Sequence, residues 1–252
     1  MQSKDDVFSL CGKTVLVTGA SSGIGRQAAV SCAERGAAVV VTARREEALR
    51  ETLGALPGEG HQLICADLTR AEDLDALVSR LPALDGVVHC AGVSTRMPCK
   101  LITEEHIRQV MDINFTAQVL LQTALLKKRK LANGASVVFI ASRAAAYPSP
   151  GNAIYSASKG ALISYAKCLG LELSGRGIRV NCICPGMVWT ELIKGQGIDE
   201  AELREAERKY PLKRFGTPAD IANLIVYLLS DASAWMTGSS LDLSGGGEGI
   251  LI

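Results

Sequence analysis

The chain is short of the residues that build metal centres and hold polyanions or bilayers. Its three histidines, His61, His89 and His106, are scattered along 252 residues. With so few imidazoles and no C-x-x-C among the eight cysteines, no metal site is expected. The cysteines (Cys11, Cys32, Cys65, Cys90, Cys99, Cys168, Cys182 and Cys184) are spread through apolar stretches and read as buried small side chains in a reducing compartment. Cys182 and Cys184 share one face of a strand, the one pair placed to ligate something. Neither sign of charge dominates: 27 Lys+Arg stand against 26 Asp+Glu, a formal net charge of +1. That excludes a nucleic acid or an anionic membrane held by bulk charge. No apolar run approaches a membrane span. The opening Met1-Gln-Ser-Lys-Asp-Asp6 is polar and acidic where a secretion signal would be basic and then apolar. The expectation is a soluble, cytoplasmic protein.

What the chain does have is an alternation of short β-branched runs with longer helical stretches. Strands are predicted at Thr14–Thr18, Ala38–Thr42, Gln62–Ala66, Gly86–Cys90, Ser136–Ala141, Arg179–Cys184 and Ser240–Leu243. Their near-continuous hydrophobicity suits strands covered on both faces. Helices are predicted at Gly23–Arg35, Glu46–Gly54, Ala71–Arg80, Glu104–Leu131, Ala153–Ser174 and Pro218–Ser230, the last started by Thr217, Pro218 and Asp220. This pattern implies an α/β fold: a Rossmann-like, doubly wound, parallel seven-stranded sheet flanked by helices on both faces, forming one domain over residues 1–252. The stretch from about 187 to 215 breaks the rhythm. It is polar, carries a short charged helix near Asp199–Lys209 and follows the end of a strand, so it reads as a substrate lid.

The first strand runs into Thr18-Gly19-Ala20-Ser21-Ser22-Gly23-Ile24-Gly25 and then a helix. Glycines at this spacing allow a tight turn and close approach of a pyrophosphate to a helix N-terminus. Gly19, Ser21, Ser22, Gly23, Ile24 and Gly25 are therefore candidate cofactor-binding residues. Dinucleotide choice is decided after the second strand, where a carboxylate would bind the ribose 2′-hydroxyl of NAD(H). Here Arg44-Arg45 stand instead, and a guanidinium suits a 2′-phosphate. NADP(H) is favoured and NAD(H) stays open; Arg26 is placed to reinforce the phosphate site. Asp67-Leu68 is placed to meet the adenine, and Ala91-Gly92 lets the backbone pass close to the cofactor.

Tyr155 and Lys159 stand one helical turn apart, thirteen residues after Ser142. An ammonium beside a phenol is expected to lower the tyrosine pKa toward the working pH, making Tyr155 a proton donor to a carbonyl or an acceptor from an alcohol.

With Asn114 and Pro185-Gly186-x-x-x-Thr190 added, this set resembles the short-chain dehydrogenases/reductases over essentially the whole chain. The resemblance implies that Tyr155 is the general acid/base and that Ser142 holds the substrate oxygen. It further implies that Lys159 binds the nicotinamide ribose and that Asn114 supports a water-borne proton relay. Ala91, Gly92, Pro185, Gly186, Val188 and Thr190 would complete the cofactor site. One departure is visible: His89-Cys90-Ala91-Gly92 stands where the family usually has Asn-Asn-Ala-Gly. The implied activity is hydride transfer between nicotinamide and a small-molecule carbonyl or secondary alcohol, in the reductive direction if the cofactor is NADPH.

Two readings remain beside it: a 3-oxoacyl-carrier-protein reductase, which makes acyl carrier protein a candidate partner through Arg129 and Arg176, and a nucleotide-binding scaffold without turnover. Arg143, Tyr147, Asn152, Met187 and Trp189 are candidate substrate residues; Arg143 is suited either to a substrate carboxylate or phosphate or to a subunit contact. The resemblance also implies a homotetramer through the helices carrying Asn114 and Tyr155, and the apolar tail Gly249-Ile-Leu-Ile252 would suit an interface.

Overall fold

A computed structural model describes residues 6–195 and 199–247. In chain order it runs β1 (Thr14–Thr18), α1 (Gly23–Glu34), β2 (Ala38–Ala43), α2 (Glu46–Gly54), β3 (Gln62–Cys65), α3 (Ala71–Arg80) and β4 (Leu84–His89). Then come α4 (Glu104–Met111), α5 (Ala117–Lys127), β5 (Leu131–Ile140), α6 (Ala153–Leu173), β6 (Arg179–Pro185), α7 (Glu191–Lys194), α8 (Glu200–Lys209), α9 (Pro218–Leu229) and β7 (Ser240–Leu243). All seven strands are parallel, in the order β3-β2-β1-β4-β5-β6-β7.

Val15, Val17, Val39, Val41 and Val88 turn toward α1, α2 and α9, while Leu16, Val40, Val87 and Val137 turn toward α3, α5 and α6. Each strand is thus apolar on both faces because each face is covered. The sheet order reverses between β1 and β4, and the crevice outside their carboxyl ends is where such sheets take ligands. α9 starts as its sequence predicts: Thr217 and Asp220 form a reciprocal capping box with Pro218 in the first turn.

Several element ends shift by a residue or two from the sequence reading, and three differences are larger. The predicted Glu104–Leu131 helix ends at Lys127 and is interrupted by one wide π turn, Asp112–Thr116, centred on Asn114. The apolar period runs on through such a turn, so it does not show in the sequence. β5 begins at Leu131, five residues early, because Leu131 pairs with Leu84 across a register shift. The predicted lid does contain strand-like pairing, a parallel bridge of Val188 with Gly216 that closes the insertion at its base. Of the cysteines, Cys32, Cys182 and Cys184 are buried as expected, whereas Cys65, Cys99 and Cys168 are exposed. Among the described residues no helix is long and apolar enough to cross a membrane.

Candidate active site

One large cleft, about 760 Å³, opens across the carboxyl ends of the strands. Its first wall is the β1–α1 turn. A Cβ on Gly25 would lie 2.4 Å from the Gly19 carbonyl oxygen, and one on Gly19 would lie 2.9 Å from Ala91 Cα. Both contacts are with backbone, which cannot give way, so the turn closes only with glycine there. Ser22 caps α1 by position but makes no side-chain cap bond, which leaves the first N–H groups of the helix to an anion.

Arg45, at the start of α2, donates from Nη2 to the hydroxyls of Ser21 (3.1 Å) and Ser22 (3.0 Å). It is thereby fixed over the same turn. Arg44 also lines the cleft and acts on Asp67 across the β2–β3 ends. Burial pushes the Asp67 carboxyl up, but bonds from the Thr69 hydroxyl and N–H, with the Arg44 charge, hold it below the usual range. Arg26 departs from expectation. Its Nη2 is spent on the Ser21 and Ala48 carbonyls and on Glu51, tying α1 to α2 rather than facing a phosphate.

The second wall carries the reactive set. α6 presents Tyr155 and Lys159 on one face, and the end of β5 brings Ser142 to them. Ser142 is hydrogen-bonded to the Tyr155 oxygen and also accepts from the Ala144 N–H at 3.1 Å. Lys159 is 5% exposed, and its Nζ donates to the Ile140 carbonyl at 2.8 Å, 5.8 Å from the centre of the Tyr155 ring.

The expected tuning is not seen. Burial raises the Tyr155 phenol above its ordinary value, with the Ser142 bond opposing it, and Lys159 is not among the groups that pull it down. Lys159 itself is pushed down to about 8 by burial. At nearly 6 Å from the ring, with its Nζ turned to a carbonyl, the ammonium is too weakly coupled to favour the phenolate.

Asn114 does not line the cleft but stands behind it, fully buried. Its Oδ1 accepts from the Val93 N–H (2.8 Å), and its Nδ2 donates to the Val93 carbonyl (2.9 Å) and to Ser158 Oγ (3.0 Å). The Gln118 side chain donates to the Asn114 and Ala91 carbonyls at 2.9 and 2.8 Å. Gln118 had no signal in the sequence beyond its place one turn after Asn114.

The profile of a family described as "Enoyl-(Acyl carrier protein) reductase" matches residues 19–248. The 3-oxoacyl-acyl-carrier-protein reductase FabG of Rickettsia felis is 32% identical over 240 residues, spanning 95% of this chain and 98% of the relative. The human dehydrogenase/reductase SDR family member 4 is 33% identical over 245 residues, spanning 94% and 88%. A solved 3-ketoacyl-(acyl-carrier-protein) reductase from Brucella melitensis, complexed with NADH, superposes with a TM-score of 0.86 at 29% identity, over 95% of this chain and 99% of that one. The chain belongs to the short-chain dehydrogenase/reductase family.

In this family member the remaining residues predicted for the cofactor (Gly23, Ile24, Leu68, Ala91, Gly92, Pro185, Gly186, Val188 and Thr190) all line the cleft. Of the predicted substrate residues, Tyr147, Asn152 and Met187 line it too, but two others are reassigned. Trp189 faces the small core formed with α8: it packs on Phe215, donates Nε1–H to Glu207 at 2.7 Å and carries the Arg204 guanidinium over its ring. Arg143 borders the cleft, yet its guanidinium is paired with Asp242 of β7 and stacked 3.9 Å from the Tyr147 ring. A charge neutralised in that way braces the Ser142 loop and offers little to a substrate anion. Residues missed from sequence are Arg96 and Ser94, from the loop after β4, and Tyr210, from the end of α8. None sits in a recognisable spacing, since each reaches the cleft from an irregular segment.

Proposed function

We propose that this chain is an NADP(H)-dependent carbonyl reductase acting on a small-molecule ketone or, in reverse, a secondary alcohol. The observation that carries the reading is the convergence of Ser142, Tyr155 and Lys159 on one wall of a cleft whose other wall is the glycine turn. The residues present fit a dinucleotide. The uncapped α1 N-terminus and the glycine-only approach at Gly25 suit a pyrophosphate, and Arg45 adds a guanidinium clamped on Ser21 and Ser22. When bound, the nicotinamide supplies or accepts the hydride.

The protein's part is proton handling and orientation. Because burial raises the Tyr155 phenol, it is protonated throughout the physiological range and able to give its proton to a carbonyl oxygen, which suits reduction. Ser142, already bonded to the Tyr155 oxygen, holds that same substrate oxygen. Lys159 is the cation for the cofactor ribose, and Asn114 fixes the backbone at Val93 beside it. The stretch from about 187 to 215 acts as the lid.

NADP(H) over NAD(H) rests on Arg44 and Arg45, which both line the cleft, because solved relatives hold NADP in one case and NADH in another. Loss of reduced-nicotinamide absorbance, followed with NADPH and NADH in parallel over a panel of ketones, tests both parts. Faster turnover with NADPH supports the reading; turnover only with NADH overturns the part carried by Arg44 and Arg45, and no turnover of any carbonyl overturns the whole.

A second reading, 3-oxoacyl-carrier-protein reduction, is favoured by the names of two relatives. Arg129 is exposed for an acidic partner, but Arg176 donates instead to Asn133 and the Leu131 carbonyl. Acetoacetyl thioester as the carbonyl distinguishes this reading. We take the compartment to be the cytoplasm, which suits a chain with free cysteines. We take the assembly to be a homotetramer through the α4–α6 side, where Ile107, Leu120 and Leu171 are exposed; sedimentation at monomer mass would remove it. The predicted contact of the 249–252 tail lies outside the described residues.

A further inference from the structure

Behind the cleft, one helix face carries three buried amides that the roles above use only in part. Asn114, Gln118 and Gln122 stand four residues apart along the π turn and α5, and all three are 0% exposed. Each reaches one residue at the end of β4 or just beyond it, and the partners are two residues apart. Gln122 meets the His89 ring at 3.1 Å, Gln118 donates to the Ala91 carbonyl at 2.8 Å, and Asn114 takes both backbone groups of Val93. Four residues of helix advance about 6 Å and two residues of extended chain about 6–7 Å, so the rungs of this ladder can stay in step.

Gln118, the middle rung, holds two carbonyls at once. Its Nε2 donates a second bond, at 2.9 Å, to the Asn114 carbonyl. That fixes which end of the amide faces them, because its oxygen could only repel two acceptors. Ala91 is held from the other side as well. Thr18 Oγ1 accepts from the Cys90 and Ala91 N–H groups at 3.0 and 3.2 Å, and a Cβ on Gly19 would lie 2.9 Å from Ala91 Cα. From Asn114 the bonds run on to α6: Nδ2 donates to Ser158 Oγ at 3.0 Å, and Ser158 donates to the Tyr155 carbonyl at 2.7 Å. Gln118 therefore stands between the segment that closes on the glycine turn and the helix turn that carries Tyr155.

We propose that Gln118 is a positioning residue for the reaction: by holding the Ala91 and Asn114 carbonyls together, it sets how far the Ala91–Val93 wall of the cleft stands from Tyr155. The inference rests on the reductase reading, since it concerns the gap between the cofactor side of the cleft and the proton donor. Hydride and proton must reach one carbonyl group, and a misplacement of about 1 Å can cost about a hundredfold in rate. A neutral amide suits such a brace. It holds two acceptors without adding a charge near Lys159, whose Nζ would lie 3.4 Å from a Cβ on Gly92.

The test compares wild type with Gln118→Leu, Gln118→Glu and Gln122→Leu, using the ketone and cofactor that the wild type turns over best. Gln118→Leu keeps most of the volume and removes the donor. Its kcat should fall about tenfold to a hundredfold, while KM for the ketone and the Kd of reduced cofactor, read by fluorescence, stay within about threefold. In the cofactor-free protein the Val93 amide should exchange with deuterium about tenfold faster, with the β1 and β2 amides unchanged. Gln118→Glu separates a donor from mere bulk, because a neutral carboxyl can donate to one carbonyl and a carboxylate to none. Burial favours the neutral form, so kcat relative to wild type should be highest near about pH 6 and fall toward about pH 9. His89, Cys90, Tyr155 and Lys159 are present in both proteins and divide out of that ratio. Gln122→Leu cuts the rung farthest from Tyr155 and should leave kcat within about twofold. Where circular dichroism shows Gln118→Leu misfolded, the pH ratio of Gln118→Glu decides alone. Unchanged kcat or Val93 exchange in Gln118→Leu, a flat ratio in Gln118→Glu, or an equal fall in Gln122→Leu would overturn the inference and leave the reductase reading standing. Cofactor binding lost as steeply as rate would also overturn it, by making Gln118 a prop for the nucleotide half. No turnover of any carbonyl by the wild type would remove that reading and the inference with it.

Discussion

The two halves of the cleft are built by different means. The nucleotide half is backbone: a glycine turn that a single Cβ would jam against the Gly19 carbonyl, a helix end without a cap, and strand ends brought level by a regular register. The substrate half is side chains, drawn from the loops after β4 and β5, the start of α6 and the end of α8. Backbone constraints leave a mark in sequence because glycine alone satisfies them. Side chains on irregular loops leave none, because many residue types fit each loop and only the folded chain decides which way they face.

The largest effect expected anywhere in the cleft comes where the halves meet. Tyr155→Phe keeps the ring and removes the proton. Turnover should fall by about a hundredfold to ten-thousandfold, the range for one general acid, while reduced-cofactor binding followed by fluorescence stays within a few-fold. Loss of binding together with turnover would mean that the phenol belongs to the nucleotide half. Equal turnover would mean that the cleft does no proton chemistry and that the chain is a nucleotide-binding scaffold.

Within the nucleotide half, Arg45→Ala removes the guanidinium from Ser21 and Ser22. NADPH affinity should drop about tenfold or more, the worth of one charge-assisted contact, and NADH affinity should barely change. Competing titrations of the two nucleotides measure this, and an equal loss for both would assign Arg45 to holding the turn rather than to reading a 2′-phosphate. The Arg44-Arg45 pair was visible in the sequence, but which of the two reaches the serines was not. It is set by Arg45 standing just before α2 in extended backbone.

The fold itself was open to reading almost throughout. β1, β7, α2 and α3 keep their predicted bounds, and all seven strands were recognised, because β-branched runs between helical stretches have few other ways to bury both faces. The losses have physical causes. The π turn at Asn114 is hidden because one extra residue in a turn leaves the apolar period nearly intact. Arg143 looked like a substrate anchor because its partner, Asp242, is 99 residues away in sequence and adjacent only once β7 pairs with β6. Trp189 looked like a pocket wall until α8 gave it Glu207 and Arg204. The expected lowering of the tyrosine by its lysine neighbour failed for a similar reason: helix spacing gives a shared face, and burial then acts on both groups more strongly than they act on each other.

That burial makes Lys159 a cost to the fold. Its pKa is moved down from 10.5 to about 8. The unfolded chain therefore binds a proton between those values that the folded chain does not. The contribution to stability is present above pH 10.5 and lost as pH falls through about 8, leaving a deficit of up to about 3 kcal/mol at neutrality. Lys159→Met, which fills similar space without charge, should stabilise the cofactor-free protein by about 1–3 kcal/mol at pH 7 and lower turnover. Urea unfolding gives the first and steady-state rates the second. A variant less stable than wild type would show that the bond to the Ile140 carbonyl outweighs the desolvated charge.

His89 sharpens the contrast from the other side, as a buried base sealed away from the cleft. It ends β4, stacks on Phe139 at 4.4 Å and 6°, and shares a 3.1 Å bond between Nε2 and Gln122 Oε1. Burial lowers its pKa from 6.5 to about 4, against the Gln122 bond. Folding thus requires the neutral ring: the stability it lends is complete above pH 6.5 and is lost as pH falls through about 4. Two-state linkage then gives a loss of about 1 kcal/mol from this residue at pH 5.5 relative to neutral pH. Replacing it by asparagine, the residue that the family resemblance leads one to expect there, removes the titration along with the ring stack. His89→Asn should be less stable than wild type at pH 7, and the gap should narrow by about that amount at pH 5.5, as read by denaturant unfolding at the two pH values. A gap that stays constant would mean that the histidine is not held neutral. In that case the depression of Lys159, argued from the same cause, would need a different explanation.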